Sequence, residues 1–126
     1  MPRVRIVLFE DERGRVPVLD WLGQIPPRAR AECRSLLGML SEHGHELRRP
    51  WAAYLGDDVY ELRVKEQRVN YRILYFFHRR WTTVLTNGFT KQGAAVPERE
   101  ISLALRRKRA FEADPEQHTH REEPGS

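Results

Sequence analysis

The 126-residue chain reads as a single α+β domain built around one sheet. Three observations predict this. Three strand-like runs follow one another between Val59 and Lys91 with period-two alternation. Two helical stripes precede them, and a proline-initiated helix follows them.

Arg3 to Phe9 opens the chain as a strand, with Val4, Ile6 and Leu8 alternating against Arg5, Val7 and Phe9. Both of its faces are partly apolar, as in a strand covered on two sides, and it is expected to join the central sheet. Asp11 to Arg15 is a polar turn around Gly14. Pro17 starts a short helix over Val16–Gln24, whose Val18, Leu22 and Ile25 fall at helical spacing. Pro26-Pro27 starts a second, in which Ala29, Cys33, Leu36, Leu37 and Leu40 form one stripe through about Glu42, and Gly44 ends it. Gly38 within it costs up to about 1 kcal/mol relative to alanine. Cys33 lies on the stripe as a small buried hydrophobe, with no helix start or nearby histidine to make it a nucleophile. His43 and His45 near the helix end read as solvated, since an H-x-H pair alone is a poor metal signal.

Leu47 to Asp58 reads as irregular, with Gly56-Asp57-Asp58 turning into the sheet. Its Trp51 and Tyr54 are candidate stacking groups for RNA bases. Packing of the loop onto the core is the better reading for Trp51. In the first sheet run Tyr60, Leu62 and Val64 alternate with Glu61, Arg63 and Lys65; in the second Val69, Tyr71, Ile73, Tyr75 and Phe77 alternate with Asn70, Arg72, Leu74 and Phe76. A tight hairpin around Gln67 and Arg68 sets Arg63 opposite Arg72, Lys65 opposite Asn70 and Leu62 opposite Ile73. One face is then apolar and the other basic. A slip of one residue would carry Arg63 to a core position, so the apolar face itself selects this pairing.

The third run, Trp81 to Lys91, contains Asn87-Gly88 inside the strand, where Gly88 marks a bulge or a close backbone approach. Lys91 emerges at its end. After a loop to Val96, Pro97 begins the last helix with Glu98 and Glu100 in the first turn and Ile101, Ala104 and Leu105 inward, with Phe111 as a later anchor. Arg106, Arg107, Lys108 and Arg109 load its far end with cations, either as a nucleic-acid-binding cluster or as a favourably charged helix terminus.

From Glu112 onward the chain holds five acids and one arginine out of totals of 18 Asp+Glu and 22 Lys+Arg, which leaves residues 1–111 with 21 basic and 13 acidic side chains. A domain over 1–111 and an acidic, disordered tail over 112–126 are therefore expected. Such a body points to a polyanionic partner, nucleic acid or an acidic protein segment. No apolar run approaches the roughly 20 residues of a membrane helix, and the first residues lack a signal-peptide pattern, so a cytoplasmic protein without a membrane partner is expected. A single cysteine, Cys33, agrees with a reducing compartment.

Tyr60-Glu61-Leu62-Arg63, Tyr71-Arg72-Ile73-Leu74-Tyr75-Phe76-Phe77, Gly88-Phe89-Thr90-Lys91 and Pro97-Glu98-Arg99-Glu100-Ile101 together resemble the phage-derived, HigB-like toxins of the RelE/ParE superfamily. The likeness runs from about Val4 to Phe111. It implies a RelE-like fold, with two N-terminal helices packed on a twisted, mainly antiparallel sheet and a C-terminal helix after it. It also implies a ribosome-dependent mRNA endonuclease, neutralised by a HigA-like helix-turn-helix antitoxin, with the ribosome and mRNA as further partners and no cofactor or metal. By the same resemblance the catalytic basic residues fall on Arg72, Arg63 and Lys91, with Lys65 beyond Arg63. Asn87 stands where many relatives have histidine, and Gln92 where a second basic residue often follows.

The residues fit metal-independent cleavage, in which the RNA 2′-hydroxyl attacks the adjacent phosphate. Arg72 and Arg63 are suited to grip that phosphate and to stabilise the charge developing on its oxygens. Lys65, Arg68, Asn70, Asn87 and the Arg106–Arg109 cluster extend the RNA-binding surface. Glu61 is either the general base or the acid that holds Arg63 or Arg72 in position, with the second role favoured; Tyr75 belongs by parity to the apolar face. Two further readings share the fold: a ParE-like toxin that binds a topoisomerase without cutting RNA, and a basic RNA-binding module without catalysis.

Overall fold

The computed structural model describes residues 3–91, 93 and 95–120. It is an α+β arrangement of five strands and three helices. In chain order these are β1 (Arg5–Leu8), α1 (Pro17–Gln24), α2 (Pro27–His43), β2 (Ala52–Gly56), β3 (Val59–Glu66), β4 (Val69–His78), β5 (Thr82–Lys91) and α3 (Glu98–Ala113). The sheet order is β1-β5-β4-β3-β2, antiparallel throughout except for the parallel β1–β5 pair. A strand thus precedes the two helices that the resemblance puts first, and the sheet is mixed.

The β3–β4 hairpin has the register expected from the alternation: Leu62 pairs with Ile73, Arg63 with Arg72 and Lys65 with Asn70. Gln67 and Arg68 form its two-residue tip with φ of 49° and 66°, the left-handed pair of a type I′ turn, whose twist matches that of the flanking strands. Asp57 and Asp58, at φ 53° and 62°, turn the β2–β3 hairpin in the same way. β2 itself was read as irregular. Its sequence, Ala-Ala-Tyr-Leu-Gly, has too little alternation to signal a strand, and pairing with β3 supplies the order.

Helices α1 and α2 cover one face of the sheet. Val18, Leu22, Ala29, Cys33 and Leu40 pack there against Leu62, Val64, Tyr71, Ile73, Tyr75 and Leu85. Burial raises the Cys33 thiol to about 11, in keeping with its place as a core residue. Gly88 is the expected close approach: a Cβ there would lie 2.2 Å from the Trp21 ring. The bulge of β5 falls two residues earlier. Leu74 pairs with Asn87 and Tyr75 with Leu85, leaving Thr86 as the extra residue.

The opposite face is apolar for half its length, where uniform basic character was expected. Helix α3 covers it, with Phe111 on Phe76 and Val84, and Ala104 on Val59, Leu74 and Phe89. Order also continues past Phe111, where the acidic tail was expected to begin. Glu112 and Ala113 complete α3, and the following segment folds back on the end of β1, where Thr119 bridges Phe9 and His120 N–H donates to the Leu8 carbonyl. The buried His118 ring stacks on Phe9 at 5.0 Å, and its Nδ1 donates to the Glu10 carbonyl at 2.6 Å. The last six residues lie outside the described ones.

Candidate nucleic-acid interface

Alternation along β3, β4 and β5 sends Glu61, Arg63, Lys65, Asn70, Arg72, Asn87, Phe89 and Lys91 to the same face as α3. Register arranges them in three cross-strand rows. Glu61, Leu74 and Asn87 form the first, Arg63, Arg72 and Phe89 the second, and Lys65, Asn70 and Lys91 the third. Neighbours within a row are about 5 Å apart and alternate rows about 7 Å. Arg63, Arg72, Lys65, Lys91 and Glu61 of the sequence-based site therefore converge on one patch.

Exposure across the patch is graded. The first row is covered, with Glu61 2% and Asn87 4% exposed; Arg72 in the second row retains 7%, Arg63 is half-buried, and Lys65 in the third stands in solvent. Arg72 was expected on an open basic edge. It is instead drawn under the rim of the α3 layer, because Leu74 and Phe89 beside it are core residues.

Glu61 sits between the two guanidiniums. Its Oε1 lies 2.7 Å from Arg72 Nε and 3.5 Å from Arg63 Nε. The N–H vectors are poorly aligned with that oxygen, so the contact is an ion pair without a straight hydrogen bond. Arg72 Nη1 donates to its neighbour Tyr71's carbonyl at 3.1 Å. Among the described residues Nη2 takes no hydrogen-bond acceptor. Burial lowers the Arg72 pKa, Glu61 opposes that shift, and Arg63 adds to it. The carboxylate thus holds two arginines side by side and is itself buried. Tyr75 lies on the α1–α2 face, with burial pushing its hydroxyl well above the ordinary tyrosine value.

Other predicted contact residues are placed differently. Asn87 Nδ2 donates to the Glu100 carbonyl at 3.3 Å and to Glu100 Oε1 at 3.0 Å, fastening the first turn of α3 to β5. Arg107 turns inward: its Nη1 donates to the carbonyl of the bulged Thr86 at 2.9 Å, and its guanidinium lies over the Phe9 ring. Lys108 lies over Phe76 and pairs with Glu112. Arg106 and Arg109 remain exposed, as does Arg68 at the hairpin tip. His45, read as solvated, is exposed and stacks one face on Phe77 at 3.8 Å, and His78 meets the edge of Phe111. Gln92 lies outside the described residues. Among those described, no group of three or more His, Cys, Asp or Glu side chains could hold a metal ion, and no helix is long and apolar enough to cross a membrane.

Trp51, expected to pack onto the core, emerges exposed at the sheet position opposite Arg63. Trp51 is 43% exposed and accepts the Arg63 N–H on its carbonyl at 2.7 Å, directly before β2. The β2–β3 pairing that places it there was the missing signal. On the other side of the hairpin, a cleft of about 510 Å³ is lined by Pro26, Pro27, Val69 and Tyr71. It lies on the α2 side, apart from the basic rows.

The family model described as phage-derived protein Gp49-like (DUF891) matches residues 20–109, well over half of the chain. A search of curated proteins finds no match.

Proposed function

The chain belongs to the Gp49-like phage-derived family, which is associated with RelE-like and toxin-antitoxin-like proteins, and on that premise we propose that it is the toxin of a type II toxin-antitoxin pair, a HigB-like mRNA endonuclease acting on the ribosome. The observation that carries the reading is the convergence of Arg63, Arg72, Lys65 and Lys91 on two adjacent rows of one sheet face. The partners are a HigA-like helix-turn-helix antitoxin, the ribosome and translated mRNA.

In this reading exposed Lys65 and half-buried Lys91 hold flanking phosphates as point charges at the rim of the patch. Arg63 and the free Nη2 edge of Arg72 bind the scissile phosphate, whose equatorial oxygens gain charge as the 2′-hydroxyl attacks and the 5′-oxygen leaves. Glu61 fixes both guanidiniums before substrate arrives, so little reorganisation remains for the reaction itself. Partial burial strengthens that interaction relative to one in water. The chain supplies charge stabilisation and placement, and the carboxylate that contacts the two arginines, Glu61, is buried. In the same reading the ribosome holds the mRNA in the attacking geometry and completes proton transfer.

The test is to induce the protein briefly in bacteria and map new mRNA 5′ ends, beside an Arg72→Ala form checked to be folded and a Lys65→Ala/Lys91→Ala form. Cuts within translated frames that disappear in both variants are expected. Growth arrest without cuts would replace this reading with the topoisomerase-binding one, and neither arrest nor cuts would leave a binding module.

A further inference from the structure

We propose that Trp51 is a nucleobase-stacking platform at the end of the arginine row, so that the face carries a built subsite for an unpaired base beside the phosphate it grips. The inference rests on reading that face as an RNA surface. It does not require that the RNA be cut.

Four observations place the subsite. The Arg63 N–H bond to the Trp51 carbonyl at 2.7 Å continues the β2–β3 register by one residue, so that Trp51 stands opposite Arg63 as Ala53 stands opposite Glu61. Ala52, next to it, belongs to the α1–α2 core, and alternation assigns Trp51 to the other face, that of Arg63 and Arg72. The side chain is left 43% exposed in a protein whose Trp21 is packed against the sheet. Arg49, two residues earlier, is exposed as well, so a further cation precedes Trp51 closely in the chain.

An indole at the open end of a guanidinium row suits single-stranded nucleic acid better than an acidic peptide. Each base offers a π-face, and the backbone phosphate lies within one nucleotide of it, whereas an acidic helix would use the arginines and leave the ring in water. The ligand class is therefore an unpaired nucleotide, purines stacking best because of their area. The subsite deepens the proposed function by placing the base adjacent to the scissile phosphate and holding it out of its own stack.

The experiment uses the full chain and a short single-stranded RNA oligonucleotide, with binding followed by tryptophan fluorescence and by direct titration. Wild-type fluorescence is expected to be quenched on binding, and the quench to be lost in Trp51→Phe, which keeps most of the affinity. Trp51→Ala is expected to bind about 5- to 150-fold more weakly, with the salt slope unchanged because no phosphate contact has gone. Equal affinity of wild type and Trp51→Ala, or binding without a Trp51-dependent quench, overturns the proposal, as does absence of any binding by the folded wild type. A Trp51-dependent quench in a protein that makes no cuts in cells would uphold the subsite and overturn the nuclease reading.

Discussion

At the scale of single residues, the centre of the site is a charge arrangement held under a roof. Glu61 and Arg72 are both buried and face each other at 2.7 Å, so removing Glu61 leaves Arg72 uncompensated and removing Arg72 leaves Glu61 only its longer, 3.5 Å contact with Arg63. Arg72→Ala is expected to lower stability by about 3–5 kcal/mol, and Glu61→Leu/Arg72→Met together by much less, which urea unfolding of the single and double variants would show. Lys65 and Lys91, nearer the rim, carry no such load. Alanine at either should shift stability by no more than about 0.5 kcal/mol while reducing the salt slope of RNA binding by about one each; an unchanged slope would remove them from the interface. Cys33 provides a pH signature. Its thiol has an ordinary value of 9.0 and is raised to about 11 by burial, so the stabilisation from keeping it neutral is complete below pH 9 and lost as pH rises through about 11. Cys33→Ala should flatten that alkaline decline in unfolding free energy.

At the scale of elements, the strands position the site and two local devices keep them in place. The first is the contact between Gly88 and Trp21. Any Cβ at Gly88 meets the ring at 2.2 Å, and retreat of the strand there would disturb its pairing with Ile73 of β4. Gly88→Ala is expected to cost about 1–3 kcal/mol, and a Trp21→Leu background to recover part of it; equal losses in both backgrounds would show that the clash is relieved elsewhere. The second is the Thr86 bulge, whose carbonyl is satisfied by Arg107 from α3. An arginine in a basic run thereby acts as a strut across layers, and Arg107→Lys, lacking the planar fork, should loosen α3 more than Arg106→Ala does, as measured by amide exchange in that helix.

At the scale of the molecule, the sheet is enclosed by α1 and α2 on one side and α3 on the other, and the basic rows occupy the part of the second face that α3 leaves uncovered. Phe111 anchors that cover, and Phe111→Ala should cost about 3–5 kcal/mol. The segment after it has a structural task as well as an acidic composition. Because His118 stacks on Phe9 and bonds to the Glu10 carbonyl, truncation after Ala113 is expected to lower the melting temperature as well as to raise RNA affinity at low salt. Unchanged affinity in the truncated protein would end the idea that these acids shield the basic body.

Alternation, punctuation and charge determined the elements that are local in origin. The three long strands, the register of the β3–β4 hairpin, the proline-led helices, the identity of Cys33 and Phe111 as core, and the placing of Arg63 opposite Arg72 were legible because period two, a two-residue turn and an apolar stripe are written into consecutive residues. Burial of the rows was not. Whether Arg72 is open or covered depends on where α3 lies, whether Arg107 and Asn87 face solvent depends on a bulge and a helix start on separate elements, and whether Trp51 is buried or exposed depends on β2, an edge strand too short to announce itself. Those outcomes are decided by packing between segments far apart in sequence, which only the tertiary structure fixes.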